Sequence, residues 1–346
     1  MKKVLVIFGG ESPEHDVSIV SGIYVAKNID KNNYHVEKAY IDRKGNWFVY
    51  EGKESISFED KLTNLKEIDN VFKFLKEFDV LFPVLHGRNG EDGRIQGLFE
   101  LVNIPYVGSK VLGSSLAMDK VYAKFIFDKA GIKQAKYKYV KRIRDGYLYI
   151  DDSFNEINYS LKELISNVIK DFKFPIFVKP SNSGSSVGIS EAKNEKELEK
   201  AMLLAEKYDN KIVIEEGIKG REFECSVLGN ESVIASKVGE VISAAEFYDY
   251  ESKYKNPNSK TIINPDLPKN IEEKMKSIAI KAFKAIDGKG LSRVDFFLDE
   301  NNTIYLCEIN TMPGFTDISM YPKLFEASGV AIKDLLTKLI ELALQD

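Results

Sequence analysis

Cysteine, tryptophan and histidine are the scarce residues of this 346-residue chain, which holds two, one and three of them. The two cysteines, Cys225 and Cys307, lie far apart, each inside a predicted strand, which excludes a disulfide framework and a cysteine-rich metal cluster and predicts buried thiols. No apolar run approaches a membrane span, and the opening MKKVLVIFGGE meets glycine and acid after five apolar residues, too few for a signal peptide. A soluble, cytosolic protein is the expectation. An excess of one charge is also missing. Against 53 acidic residues stand 49 basic ones, a net charge of −4, and without a basic run or an interleaved aromatic stripe a nucleic-acid partner is excluded. Internal repeats are absent. So are G-x-G-x-x-G and G-x-x-x-x-G-K-S/T, which removes the usual grounds for a Rossmann dinucleotide site or a P-loop.

What the chain does have is 44% hydrophobic residues on a length beyond one usual domain, so two or three domains with ample core are expected. The most informative stretch is LSRVDFFLD from Leu291 followed by TIYLCEIN from Thr303, two arms rich in β-branched and aromatic residues. If Asn301 and Asn302 make a two-residue turn, Glu300 faces Thr303, Asp295 faces Glu308 and Arg293 faces Asn310. Val294, Phe296 and Leu298 then share a core face with Ile309, Cys307 and Tyr305. The other face carries Phe297, Leu306 and Ile304 at one end, and Arg293, Asp295, Glu308 and Asn310 at the other. Opposed carboxylates repel unless a cation or a shared proton lies between them, and hard oxygen donors beside an amide suit Mg²⁺ better than zinc. A solvated charged face is the alternative, but the apolar end of the same face argues that it is covered. Asn310 leads into Thr311, Met312, Pro313 and Gly314, a turn able to present N–H groups to an anion. Metal, arginine and donors at one spot suit phosphoryl transfer or acyl-phosphate chemistry.

Taken in order, Val4 to Phe8 reads as a buried strand, Gly9 and Gly10 as a turn, and Asp16 to Asn28 as a helix, the first half of a βαβ unit. Glu14 and His15 occupy the connection, where function sits in open α/β sheets, with a solvated or capping carboxylate as the alternative for Glu14. Strands are expected at His35 to Ile41, Trp47 to Tyr50, Asp79 to Leu85 and Ile104 to Val107, with residues 52 to 76 as a surface excursion containing one helix. His86 ends the third of these strands and opens HGRNGEDG, so it points into a site or serves as a structural histidine. Helices are expected over Leu112 to Ala130, Leu161 to Ile169, Glu195 to Tyr208, Leu267 to Ile286 and most of Ser319 to Leu344. Gln134 to Tyr149 is extended or a hairpin. Phe174 to Pro180 is a strand leading into SNSGSSVGI, a loop whose hydroxyls and N–H groups, with Lys179 before it, can receive phosphate oxygens or can simply turn. Lys211 to Glu215 and Glu222 to Leu228 are further strands, and the aromatic and lysine-rich stretch 245 to 265 reads as a lid.

The order of HGRNGEDG, MDK, VKPSNSGSSVGIS, VIEEGIKGREF, YDYESKY, SRVDF and EINTMPGFTDISMYPKL resembles the D-alanine:D-alanine ligases of the ATP-grasp superfamily over essentially the whole chain. The resemblance implies a mixed α/β fold of three domains: an N-terminal open parallel-sheet domain, 1–109; a central ATP-grasp domain, 110–215; and a C-terminal one, 216–346, with the metal site and lid. It implies ATP between the last two, held by Lys120 and Lys179, by Ser185 and Ser186 on the loop, by Glu215, Glu216 and Ile218 around the adenine and by Glu222 at the ribose. Asp295, Glu308 and Asn310 would bind Mg²⁺, two ions, with Mn²⁺ as an alternative. Glu14 would bind the ammonium of the first D-alanine and His86 its carboxylate, and Ser319, beside Met320, the carboxylate of the second. Arg293 and Gly314 would stabilise the transferring phosphate and the oxyanion. Lys253 and Tyr254 match lid residues, Tyr254 linking towards Ser185 and Glu14.

The implied activity is ligation through a D-alanyl phosphate in bacterial cytoplasm, by a homodimer. A ligase accepting D-serine or D-lactate and a non-catalytic nucleotide-binding module are the rivals. The methionine at 320 favours D-alanine, and the intact polar set opposes the module.

Overall fold

In a computed structural model the described residues, 1–58, 60–151, 153–184, 186–242 and 260–345, form three sheets. The first contains β1 (Lys2–Gly9), β2 (Tyr34–Ile41), β3 (Trp47–Tyr50), β4 (Leu65–Glu67) and β5 (Val80–Val84), in the order β4-β3-β2-β1-β5. β1 is parallel to both β2 and β5, whereas β3 and β4 add antiparallel strands at one edge, so the sheet is mixed and not wholly parallel. The second contains β6 (Tyr137–Ile143), β7 (Gly146–Ile150), β8 (Glu156–Tyr159), β9 (Ile176–Pro180), β10 (Ser190–Ala192) and β11 (Lys211–Glu216), in the order β10-β9-β11-β6-β7-β8. The third contains β12 (Gly220–Gly229), β13 (Ile234–Ile242), β14 (Lys260–Ile262), β15 (Gly290–Asp299) and β16 (Ile304–Asn310), in the order β14-β13-β12-β15-β16. Both of these sheets are antiparallel throughout.

The helices are α1 (His15–Asn28), α2 (Val71–Leu75), α3 (Arg94–Val102), α4 (Val111–Met118), α5 (Lys120–Lys129), α6 (Leu161–Asp171), α7 (Glu195–Ala205), α8 (Lys269–Ala285), α9 (Met320–Ala327) and α10 (Ile332–Ala343). They tie the sheets together. Leu335, Leu336, Leu339 and Ile340 of α10 share one core with Val4, Val6 and Phe8 of β1, so the end of the chain seals the sheet at its start. Each such aliphatic side chain gains about 1.5–3 kcal/mol on burial. Ala123 and Phe127 of α5 share a second core with Val294 and Phe296 of β15 and Met275 of α8.

Several expectations change. The helix expected over Leu112 to Ala130 breaks at Asp119, whose extended backbone ends α4 and whose carboxylate accepts from the N–H groups of Val121 and Tyr122 to start α5. Ile104 to Val107 gives only a bridge, Leu81 to Tyr106. β13 went unforeseen because Ala235, Ser236 and Gly239 interrupt its apolar alternation.

The hairpin turn has three residues, Glu300, Asn301 and Asn302. Asp299 pairs with Thr303 through its N–H, and Asn302 takes a left-handed φ of 58°. Phe296 therefore faces Leu306, and Leu298 faces Ile304. The slip is undone before the polar end by a register shift between Asp295 and Phe296, after which Asp295 faces Glu308 and Arg293 faces Asn310 as expected. Leu306 and Ile304 belong to the core face, whereas Tyr305 and Cys307 are only half-buried.

α1 lies against β1 so closely that a Cβ on Gly22 would stand 2.4 Å from that of Phe8. Gly22→Ala should gain roughly 1 kcal/mol of helix propensity but lose about 1–3 kcal/mol to overpacking. A lower denaturant midpoint at unchanged m-value is expected; a higher midpoint would contradict the packing.

Candidate active site

A cleft of about 860 Å³ opens where the three sheets meet. β12, β15 and β16 set its floor, because their register places Glu224, Asp295 and Glu308 side by side. Three neighbouring carboxylates need a cation, and Arg293 supplies one. Its guanidinium grips Asp295 through Nε at 2.7 Å and Nη2 at 2.6 Å, and Nε is 3.2 Å from Glu224. Burial opposes the arginine's charge, but Asp295 and then Glu224 outweigh it and hold the group protonated. Asn310 adds its amide N–H to Asp295 at 3.1 Å, and Lys120 stands 4.0 Å from Glu308. The repulsion foreseen from the facing pair is thus relieved within the chain. Among the described residues no group of three or more histidine, cysteine or acidic side chains is disposed to hold a metal.

The second charged centre lies on the neighbouring sheet. Lys179 of β9 faces Val213 of β11, two residues from Glu215, so the lysine and the glutamate share a face. Lys179 Nζ is 2.5 Å from Glu215 and Lys124 Nζ 2.7 Å from its other oxygen. Burial by itself would raise this carboxyl, but the two lysines prevail and hold it at about 2. Lys124 was missed in the sequence, although it follows Lys120 by one helical turn and so shares its face of α5. Glu224 was missed too; it lies two residues after Glu222, on the same strand face.

The SNSGSSVGI loop is anchored at its start. Ser181 donates to Asp119 at 2.7 Å, Lys211 pairs with the same carboxylate at 2.5 Å, and Lys120 reaches the carbonyl of Ser183 at 2.6 Å. Gly184 brings this loop against Glu14, since a Cβ there would be 3.1 Å from the Glu14 carboxylate. Glu14 starts α1 without capping it by side chain, which removes the capping alternative. His86 is buried, its Nδ1 2.9 Å from the carbonyl of Met312.

Glu91, unforeseen, also lines the cleft, its carboxyl raised well above the ordinary range by burial and by Glu14. Ser186, Glu216, Ile218 and Glu222 line the same cleft, as do Gly314, Ser319 and Met320. The Ser319 hydroxyl accepts the Thr316 N–H at 2.9 Å. Met320 is packed so that a Cβ on Gly239 would meet its methyl at 2.3 Å. Ser185, Lys253 and Tyr254 lie outside the described residues.

Two family models match the chain: D-ala D-ala ligase N-terminus over residues 3–109, and D-ala D-ala ligase C-terminus over residues 126–341. A D-alanine--D-alanine ligase from Acetivibrio thermocellus is 46% identical, with 99% of this chain and 96% of that one covered. One from Clostridium acetobutylicum is 47% identical, with 99% and 98% covered. Among solved structures, the VanG D-Ala:D-Ser ligase from Enterococcus faecalis superposes with a TM-score of 0.85 at 33% identity, covering 99% of each chain. The D-alanine-D-alanine ligase from Coxiella burnetii gives 0.79 at 33% identity, covering 99% of this chain and 94% of that one.

Glu215 carries a pH prediction. Its carboxyl titrates lower folded than its ordinary 4.5, so its stabilisation is complete above 4.5 and is lost as pH falls towards about 2. Glu215→Gln should lower stability at neutral pH and reduce the slope of unfolding midpoint against pH across that window. Parallel profiles for the two proteins would contradict the clamp.

Proposed function

The chain belongs to the D-alanine:D-alanine ligase family, with its ATP-grasp fold and ATP-dependent ligase chemistry, and we propose that its cleft makes D-alanyl-D-alanine for peptidoglycan precursors. The observation that carries this reading is the adjacency of two charged centres in one cleft. Glu215 with Lys124 and Lys179 suits nucleotide and phosphate, and Arg293 with Asp295, Glu308 and Asn310 suits the phosphate in transfer.

The reaction runs in two displacements. A carboxylate oxygen of the first D-alanine attacks the γ-phosphorus of ATP, the bond to the bridging oxygen breaks, and ADP leaves. The amine of the second D-alanine then attacks the acyl carbon, loses a proton, and expels phosphate with the oxygen that came from the first carboxylate. Lys124, Lys179 and Lys120 balance phosphate charge. Arg293, held by Asp295 and Glu224, offers a guanidinium edge to the phosphate, and Gly314 N–H receives the oxyanion. Glu14 takes the ammonium of the first D-alanine, beside His86. Ser319 takes the carboxylate of the second. Ser185, Lys253 and Tyr254 belong to the closing side, which keeps water from the acyl phosphate. Asp295, Glu308 and Asn310 fit Mg²⁺, two ions, by their hard oxygen donors; bound there, Mg²⁺ would neutralise the β- and γ-phosphate oxygens. The division 1–109, 110–215 and 216–346, a homodimer and a cytoplasmic setting complete the reading. Among the described residues no helix is long and apolar enough to cross a membrane.

The D-serine reading has one observation behind it, the likeness to the VanG structure, but the curated relatives named for D-alanine are more similar in sequence. Met320 offers the acceptor's methyl an apolar wall with no partner for a hydroxyl, a preference worth about 1–3 kcal/mol. With ATP, Mg²⁺ and equimolar D-alanine and D-serine, D-alanyl-D-alanine should dominate by mass spectrometry, and Met320→Arg should raise the share of the mixed dipeptide. Dominance of the mixed dipeptide in the unmutated protein would overturn the assignment, and phosphate release independent of D-amino acids would overturn the ligase reading itself.

A further inference from the structure

Ser21 sits on α1, yet it is fully buried between His86, two residues beyond β5, and the turn that follows β16. Its hydroxyl oxygen accepts the N–H of Phe315 at 3.3 Å and stands 3.4 Å from Nε2 of His86. The other ring nitrogen, Nδ1, lies 2.9 Å from the carbonyl oxygen of Met312. A carbonyl can only accept, so Nδ1 carries the proton, and in the neutral ring Nε2 then keeps a lone pair. The Ser21 oxygen already receives the Phe315 N–H, which leaves its own proton for Nε2. Burial lowers the imidazole pKa and favours this neutral form, although Glu14 acts the other way. Both Ser21 contacts are long for hydrogen bonds, which leaves room for them to tighten when substrate enters.

Resting on the ligase reading above, we propose that Ser21 is a positioning residue for the reaction. It fixes the His86 tautomer and ties the first-substrate side of the cleft to the Met312–Phe315 turn. The groups that receive the first amino acid and the Gly314 N–H that faces its acyl carbon are thereby held in one frame. Three contacts make that frame: Ser21 to His86, Ser21 to Phe315 and His86 to Met312. Two of them join segments more than two hundred residues apart, so a lost hydroxyl is felt as misalignment across the cleft.

The chain has three histidines, which makes the ring-nitrogen resonances assignable. In ¹⁵N-labelled protein His86 should show the Nδ1-protonated form with a hydrogen-bonded Nε2. Ser21→Ala should move that Nε2 resonance towards its unbonded value while those of His15 and His35 stay in place. In steady state Ser21→Ala should lower kcat about tenfold and raise KM for the first D-alanine, with KM for ATP within about twofold. Ser21→Thr should restore part of both losses. An unmoved Nε2 resonance, an unchanged kcat and D-alanine KM, or an equal loss in both KM values overturns the proposal. If Ser21→Ala does not fold, Ser21→Cys, a near-isosteric and weaker donor, gives the same resonance test. Absence of D-alanine-dependent phosphate release from the unmutated protein would refute the ligase reading instead, and would leave the ring-nitrogen result to decide the tie.

Discussion

Compensation of Asp295 by Arg293 is the interaction on which the cleft depends. Strand register alone brings Glu224, Asp295 and Glu308 into one row, and a row of carboxylates taken out of water would protonate or push apart. The bidentate guanidinium grips both oxygens of Asp295 and sets a positive charge against it at the wall of the cleft. The same logic recurs on the second sheet, where Glu215 is held ionised between Lys124 and Lys179. A cleft prepared in this way meets a polyphosphate with charges already in place, so little reorganisation remains for the moment of transfer.

Much of this was legible in the sequence, for reasons that can be named. Apolar alternation and β-branched content identified β15 and β16, and their facing pairs at the polar end followed from the turn. That success was partly a cancellation. The turn has three residues where two were expected, and the register shift next to Asp295 removes the error before it reaches Glu308. Single-residue turn lengths and bulges depend on local backbone energies that composition does not reveal. Along the apolar end nothing restored the register, and the placements of Leu306, Ile304 and Tyr305 were inverted.

Lys124 shows the complementary limit. Its spacing from Lys120 was visible, but its partner Glu215 lies on another sheet, and only tertiary packing brings the two together. Asp119 likewise reads as one helical residue among many until Ser181 and Lys211 are seen to converge on it, which makes it both the cap of α5 and the anchor of the loop.

The central claim is that the first amino acid is activated through its own carboxylate. D-alanine labelled with ¹⁸O in the carboxyl group, incubated with the protein, ATP and Mg²⁺, tests it directly. The account predicts that one labelled oxygen from each activated D-alanine appears in the inorganic phosphate released. Phosphate free of ¹⁸O alongside labelled dipeptide would contradict it.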